Sequence, residues 1–413
     1  MPREHLELAL KTLKAIDART EDLPRAGLYL ARTWESAGEY ARAEPYYVEA
    51  VAAAEKNFGK GSYVAAFAYD NYGDMLRHLH RFEEAEKFVR AATTNYQALY
   101  GPDHVNVAMA NTNLGLILVA EGKRAEADQR MEVASKVMHE KRGPNDRTLS
   151  YFRLHRARAA VAAGQFELAR SLHDATLSSD YAKEAENLRQ TVITGIWQAQ
   201  ILIMLNRLDE AAGYLDRATT VFKDSGDAGS TREVRLFLRR AELANAQKAG
   251  SGTEYSQRAF DLVLSLGENA SDLLAETVFS FTQQLPSAES AKQTLARLEP
   301  LPLVKTLRSA GTLSVDEAIQ LYTSLARLEQ ASGDLAAAGQ DFDRALALRT
   351  KHDDPASPWL AQLHGMRAEY FLRAGDPAKA RAALDQAQAV KSIAALPYFT
   401  QPLARARAEL ATR

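Results

Sequence analysis

Histidine is the first residue type to test for chemistry in this sequence, because imidazole serves both as a general base and as a metal ligand. His78 and His80 lie two residues apart. On a helix, side chains at that spacing point away from each other, so this pair suits a shared metal ion poorly. His139, His155 and His173 have no carboxylate or hydroxyl partner at a spacing that indicates catalysis. The sequence therefore predicts structural or surface roles for these histidines.

Motifs for phosphate, nucleotide or zinc chemistry are absent from the sequence. It has no Walker loop, no dinucleotide-binding glycine fingerprint and no His-Glu-x-x-His. Gly250 and Gly252 come closest to a glycine-rich loop, but no Lys-Ser/Thr follows them. Arg235, Arg239 and Arg240 form a short basic stretch, which we interpret as a solvated helix face. We expect no enzymatic activity, no metal site and no cofactor.

The composition is that of an ordinary soluble protein and excludes several classes. The 413 residues include 46% hydrophobic and 25% charged residues, no cysteine and a net charge of -2. Thiolate chemistry is excluded, and nucleic acid is disfavoured as the main ligand because there is no basic excess. No apolar stretch approaches the roughly 18 residues of a membrane span. Residues 1–19 lack the apolar core of a secretory signal, so we expect a cytoplasmic protein that does not contact membranes.

A regular repeat organises the chain. A turn residue is followed five places later by alanine. These alanines recur every 42 residues, at Ala43, Ala85, Ala127, Ala169 and Ala211 and again at Ala338 and Ala380. Seven residues before each turn stands a small residue, namely Ala31, Gly73, Gly115, Ala157, Ala199, Ala326 and Ala368. Helix axes approach closely only over small side chains, so each unit is predicted to be a helical hairpin. Ser314 and Glu317 add the pattern of a capping box. The fold is predicted to be all-α.

These anchors resemble those of tetratricopeptide repeats, and the long period resembles that of the repeats of kinesin light chains. The run Tyr100–Ala108, continuing to Asn113–Gly115, is the strongest match. HEAT and armadillo repeats have overlapping periods but lack the Gly-x-aromatic-x-x-Ala anchors. The resemblance covers residues 24–233 and 319–402, and it implies a right-handed α-solenoid superhelix. Similar repeats form regions of bacterial regulatory proteins.

Counting from the anchors gives about nine stacked hairpins in a single solenoid. We expect an entering or capping helix over residues 1–23, unless the chain was cut from a longer polypeptide, and five regular repeats over 24–233. Two degenerate repeats over 234–318 have lost their anchors and could form a bend. Two regular repeats follow over 319–402, and a capping helix over 403–413.

The resemblance also implies which residues line the concave groove. In tetratricopeptide repeats, groove positions lie mostly two, three and six residues before the small residue and one, four and five after it. Here these positions hold Tyr29, Arg32, Asp70, Asn71, Asp74, Arg77, His78, Asn113, His155, Arg158, Trp197 and Gln200.

Two groove features could bind a partner. Asn71 and Asn113 hold the same place in successive units, so their amides could bind the backbone of an extended peptide. Trp197 could be an exposed aromatic anchor. The alternative is that both asparagines are ordinary helix-surface residues and that Trp197 is partly packed in the core.

Two hypotheses for function follow from this architecture. The first is a non-catalytic scaffold that binds a peptide or protein segment in its concave groove, in bacterial regulation or signalling. The second is a ligand-gated regulator, in which a small peptide or metabolite changes the closure of the superhelix and the degenerate repeats act as the hinge. Fold alone does not decide between them.

Overall fold

The computed structural model describes residues 3–16, 19–37, 39–143, 146–179, 188–225, 228–283, 287–309 and 311–412. Within these ranges the regular structure is entirely helical, with 21 α-helices and no strand, so the prediction of an all-α fold is confirmed. Among the described residues, none of the helices combines the length and the apolarity needed to cross a membrane.

The contacts divide the chain into two compact units, Met1–His155 and Arg156–Arg413. The first unit contains α1 (Arg3–Ala15), α2 (Asp22–Ser36), α3 (Tyr40–Phe58), α4 (Tyr63–His78), α5 (Phe82–Tyr100), α6 (Val105–Ala120), α7 (Arg124–Arg142) and the first part of α8 (Arg147–Ala162).

The second unit continues from the end of α8. Its helices are α9 (Phe166–Leu177), α10 (Leu188–Met204), α11 (Leu208–Ser225), α12 (Thr231–Ala246), α13 (Gly252–Leu266), α14 (Ser271–Phe281), α15 (Ala288–Leu298), α16 (Pro302–Arg308), α17 (Val315–Ser332), α18 (Leu335–His352), α19 (Pro358–Arg373), α20 (Pro377–Ala389) and α21 (Pro397–Ala411).

The hairpin turns use a left-handed residue where the repeat places its turn residue. Positive φ angles occur at His80 (58°), Gly122 (76°), Gly164 (77°), Asn206 (60°), Gly333 (99°) and Gly375 (77°). The equivalent Gly38 lies outside the described residues. A left-handed residue ends the first helix and reverses the chain, so the second helix packs back on the first.

Small residues let the two helices of each hairpin approach. Ala31, Ala157, Ala199, Ala326 and Ala368 are fully buried. At Gly73, an added Cβ would lie 3.1 Å from the carbonyl oxygen of Ala85 and would also overlap Val89. The contact between the small residue and the alanine that opens the second helix is therefore the packing centre of the hairpin.

The unit that begins near residue 234 keeps more of the repeat than we expected. Ala241, one repeat period after Ala199, is fully buried, and Lys248, one period after Asn206, has φ 57°. The alanine that opens the second helix in other repeats is replaced by Gly252, which stands one residue before that position. An added Cβ at Gly252 would lie 3.3 Å from the carbonyl oxygen of Ala241. The expectation that both degenerate units lack anchors is wrong for this one. The number of nine hairpins stays a prediction.

A buried arginine stabilises the irregular segment around α14. Arg327 of α17 is fully buried, and it donates to the carbonyl oxygens of Thr282 (2.6 Å) and Gln283 (3.1 Å), just beyond the end of α14. Its remaining nitrogen lies 3.3 Å from a carboxylate oxygen of Glu369. Carbonyl groups at a helix C-terminus lack partners within the helix, and this guanidinium supplies one.

Single helices lie at both ends of the described chain. Leu6 and Leu10 of α1 are buried against Leu30 of α2. The last helix begins at Pro397, within the predicted final repeat, rather than at residue 403, and it buries Phe399 and Leu403. Proline suits the first turn of a helix because its φ is already helical and its missing N–H is not needed there. The capping box at Ser314 and Glu317 is confirmed.

Candidate binding faces

Polar side chains join the first helices of successive hairpins in the first unit. The amide nitrogen of Asn113 on α6 donates to Asp70 on α4 at 3.0 Å. The Tyr151 hydroxyl on α8 donates to the side-chain oxygen Oδ1 of Asn113 at 3.4 Å. Tyr151 also meets the ring of His155 edge-on, with 4.2 Å between ring centroids. These four residues form what we call the polar ladder, and three of them hold predicted groove positions.

The two asparagines of the predicted pair have different partners. The amide nitrogen of Asn71 donates to the carbonyl oxygen of Phe67, 2.7 Å away in the same helix. Asn113 instead bridges two helices. Asn71 therefore matches the alternative of an ordinary helix-surface residue, whereas Asn113 holds neighbouring repeats in register.

Asp70 is the most perturbed group of the ladder. Burial raises its pKa to about 7, the nearby Asp74 carboxylate adds to the rise, and the hydrogen bond from Asn113 opposes it. A carboxyl group with such a pKa exchanges its proton near neutral pH. The ladder therefore contains a carboxyl group that can be neutral or negative near pH 7.

A charged cluster lies beside the ladder. Two nitrogens of Arg77 donate to one oxygen of Asp74, at 3.0 and 2.8 Å, and a third contact of 2.8 Å joins Arg77 to His78. Burial disfavours the Asp74 carboxylate, but Arg77 and then His78 hold its pKa below the usual value. Burial raises the pKa of Glu35, which accepts a 2.5 Å hydrogen bond from Tyr47.

Glu35, Asp74 and His78 could each offer one metal-ligand atom within 4.8 Å of the others. The guanidinium of Arg77 already pairs with Asp74, so the cluster has the geometry of an ion-pair network.

On α2, the remaining predicted positions face solvent. Tyr29 is 48% exposed, and Arg32 is exposed but close enough to Glu35 to oppose part of the rise in its pKa.

In the second unit two arginines, of which only Arg158 was a predicted groove residue, flank the indole of Trp197. The guanidinium carbons of Arg158 and Arg235 lie 5.4 and 5.6 Å from the centre of the Trp197 ring, within the range of a cation–π contact. Gln200, one turn further along α10, donates to Glu276 on α14 at 3.3 Å.

A buried ionic network continues this face. Arg239 is only 2% exposed, it donates to both carboxylate oxygens of Glu242 at 3.0 and 2.8 Å, and it contacts Glu276. Burial raises the pKa of Glu242 to about 7 despite Arg239. The prediction of a solvated basic face is therefore wrong for Arg239. Relative to Ala241, Arg239 and Glu242 hold the same groove positions that Trp197 and Gln200 hold relative to Ala199. This equivalence is the sequence signal that could have identified them.

A cavity of about 190 Å³ lies within the second unit, beside Trp197. Charged groups of both signs line it, namely Arg158, Arg349, Glu276 and Asp316. The amides of Gln200 and Gln320 and the rings of Trp197 and Trp359 complete most of the polar and aromatic lining. His173 on α9 also lines the cavity and is 2% exposed.

Helices far apart in the sequence close the second unit. The indole nitrogen of Trp359 on α19 donates to the carbonyl oxygen of Val161 on α8 at 3.0 Å, across 198 residues. Phe166 stacks on Phe399 with 5.2 Å between centroids, and the Trp359 ring meets Phe399 edge-on at 4.8 Å. In a simple repeat stack each hairpin contacts only its neighbours, so these contacts make the second unit close on itself.

The fold and these faces define a helical-repeat protein, and comparison with known proteins identifies the repeat. The sequence profile described as tetratricopeptide repeat matches residues 24–98, 63–140 and 317–392. The chain carries tetratricopeptide repeats over these residues, as predicted. No curated protein sequence matches the chain.

Solved structures share the fold at low sequence identity. A Rap protein complexed with Competence and Sporulation Factor is 14% identical, with a TM-score of 0.58, and the match covers 90% of this chain and 98% of that one. The apo form of RapI is 11% identical, with a TM-score of 0.52 and the same coverage. BtubC (BKLC) from P. vanneervenii is 15% identical, with a TM-score of 0.47, over 54% of this chain and 91% of that one.

Proposed function

We propose that the chain is a non-catalytic, cytoplasmic scaffold that binds a peptide or an extended protein segment on the first-helix face of its first unit, in bacterial regulation. The tetratricopeptide repeats support an interaction role. The Rap structure with the same fold is itself a complex with Competence and Sporulation Factor, which supports a regulatory peptide or protein as the partner.

The polar ladder is the observation that carries this proposal. Asp70, Asn113 and Tyr151 bring polar groups from three successive first helices into one hydrogen-bonded row. An extended peptide has unpaired backbone N–H and C=O groups, and amide and carboxylate side chains in a row can bind them. Tyr29 and Tyr151, 48% and 37% exposed, add aromatic groups of the kind that anchor interfaces.

A selection from a random peptide library on the full chain tests the proposal. Binding of the selected peptides is measured by fluorescence anisotropy on the wild type and on the double variant Asn71→Ala, Asn113→Ala. We expect the double variant to bind about tenfold more weakly, because one lost interface contact of hot-spot strength has that effect.

The matched control lies on the second helices. Val48 and Val133, on α3 and α7, are 49% and 48% exposed. The variant Val48→Ser, Val133→Ser should bind the same peptides as the wild type does. Loss of binding in this control, with binding retained in the asparagine variant, would place the partner on the other face.

Closure of the second unit supports a second candidate function, a ligand-gated regulator. The contact between Trp359 and Val161 and the stacking of Phe166 on Phe399 join helices from opposite ends of that unit around the cavity. A ligand that bound the closed form better than an open form would shift the equilibrium towards closure. Differential scanning fluorimetry with metabolites and short peptides tests this function through a rise in melting temperature.

A further inference from the structure

The cavity of the second unit combines opposite charges with aromatic walls. Arg158 and Arg349 contribute guanidinium groups, and Glu276 and Asp316 contribute carboxylates. The two arginines also lie near the two tryptophan rings. The guanidinium carbon of Arg158 is 5.4 Å from the centre of the Trp197 ring, and that of Arg349 is 5.6 Å from the centre of the Trp359 ring. A lining with both charges and both donors and acceptors suits a ligand that carries both charges itself.

Glu276, one of the two acidic groups of this lining, is held in its charged form. Burial disfavours the Glu276 carboxylate, but Arg239, Arg235 and Arg158 together hold its pKa below the usual value. Glu276 therefore remains negative at neutral pH and is available to an ammonium group, although it also accepts from Gln200 and Arg239.

His173 adds a buried imidazole to the cavity wall. Its side chain is only 2% exposed, and the side chain of Gln198 lies beside it. Burial lowers the pKa of His173 to about 4, and a hydrogen bond with Gln198 opposes this shift only in part, so the imidazole is neutral at pH 7.

We propose that this cavity binds a zwitterion of amino-acid size, whose carboxylate meets the arginines, whose ammonium group meets the acidic side chains and whose side chain lies between the indoles. The volume agrees with this size. A cavity of about 150 Å³ holds a single aromatic ring such as benzene, whereas drug-sized ligands occupy about 300–1,000 Å³. The cavity of about 190 Å³ lies near the lower figure.

The inference rests on the second candidate function only for its regulatory consequence. Binding of the zwitterion and closure of the unit are separate events, and each has its own measurement below. The peptide face of the first unit does not enter the argument.

Binding is tested by isothermal titration calorimetry of the full chain with each of the twenty free L-amino acids and with glycyl dipeptides. We expect at least one free amino acid to bind, and its N-acetyl and carboxamide forms to bind at least about tenfold more weakly, since each lacks one charge. If the best ligand is a dipeptide, the zwitterion that binds is formed by the terminal ammonium and carboxylate groups of a peptide. Absence of binding by all these probes, or equal binding of the blocked forms, overturns the inference.

Two variants locate the site. Arg158→Gln changes an exposed side chain at the cavity mouth, and His173→Phe removes the buried imidazole nitrogen. Both should weaken binding about tenfold or more, whereas Arg381→Gln, an exposed arginine on α20, should bind as the wild type does. If His173→Phe does not fold, Arg158→Gln decides, and unchanged binding in that variant overturns the assignment.

Closure is measured separately with fluorophores. The chain has no cysteine, so Glu167→Cys and Gln401→Cys, both at exposed positions on α9 and α21, label two defined sites. Binding that raises energy transfer between them supports ligand gating. Binding without any change in energy transfer leaves the zwitterion site in place and contradicts the second candidate function.

Discussion

The Nδ2 atom of Asn113 donates a 3.0 Å hydrogen bond to Asp70, 43 residues earlier in the chain. The two residues stand on the first helices of neighbouring hairpins, α4 and α6. The bond therefore fixes the register of one repeat against the next and places a titratable group on the candidate peptide face. Because burial raises the pKa of Asp70 to about 7, the charge of this face should change with pH near neutrality.

Asp70 should make the first unit less stable as the pH rises. Its folded pKa of about 7 lies above its usual value of 3.8, so the folded chain holds a proton that the unfolded chain has lost. This contribution to the free energy of unfolding therefore falls between about pH 4 and pH 7, by at most about 1.4 kcal/mol per pH unit. Urea unfolding at several pH values should show a smaller fall for Asp70→Asn. An unchanged fall, equal to that of the exposed control Asp103→Asn, would contradict the raised pKa.

Gly73 and Gly213 should respond to alanine with opposite signs. An added Cβ at Gly73 would meet the carbonyl oxygen of Ala85 and the side chain of Val89, so Gly73→Ala should destabilise the fold by about 1–3 kcal/mol. Gly213 stands on α11 with nothing within 4 Å of an added Cβ, so Gly213→Ala should stabilise by up to about 1 kcal/mol. Denaturant midpoints measure both. Stabilisation by both substitutions would show that helix propensity, not hairpin packing, decides.

Gly164 and Gly375 separate the closure of the second unit from the cost of a left-handed residue. Both have φ 77°, so alanine at either should cost about 1–2 kcal/mol of strain. At Gly375 an added Cβ meets nothing within 4 Å, but at Gly164 it would lie 2.8 Å from Cδ of Pro358 on α19. Gly164→Ala should therefore lower the melting temperature more than Gly375→Ala does. Equal shifts would show that α19 moves away from this turn at no cost.

Arg239 and Arg240 are neighbours with very different environments. Arg239→Met leaves the carboxylates of Glu242 and Glu276 buried without their shared cation, which should cost about 3–5 kcal/mol. Arg240 pairs with Asp216, whose side chain is 69% exposed, so Arg240→Met should cost less than about 1 kcal/mol. Chemical unfolding of the two variants measures the difference. Similar losses would contradict the buried network.

The local pattern of the sequence was sufficient to predict the helical hairpin. Turn and small-residue spacing predicted where the turns stand, including those at His80 and Asn206, and the structure shows a positive φ at both. The pattern failed where one anchor was displaced, since Gly252 stands one residue before the alanine position and hides the repeat around Ala241. Arg239 was consequently interpreted as solvated, although it is buried.

Features that join distant repeats left no signal in the spacing. The bond from Trp359 to Val161 spans 198 residues, and it depends on the small rotation added at each hairpin of the second unit. The partners of the groove side chains were also beyond the pattern. Asn71 and Asn113 hold equivalent positions, yet one bonds its own helix and the other bonds its neighbour.

Photo-crosslinking of a library-selected peptide tests the central claim most directly. The peptide carries benzoylphenylalanine in place of one residue at a time, and mass spectrometry locates the labelled segment of the full chain. The account predicts labels on α4, α6 and the first part of α8, where Asp70, Asn113 and Tyr151 lie. Labels confined to the second helices α3, α5 and α7 would contradict it.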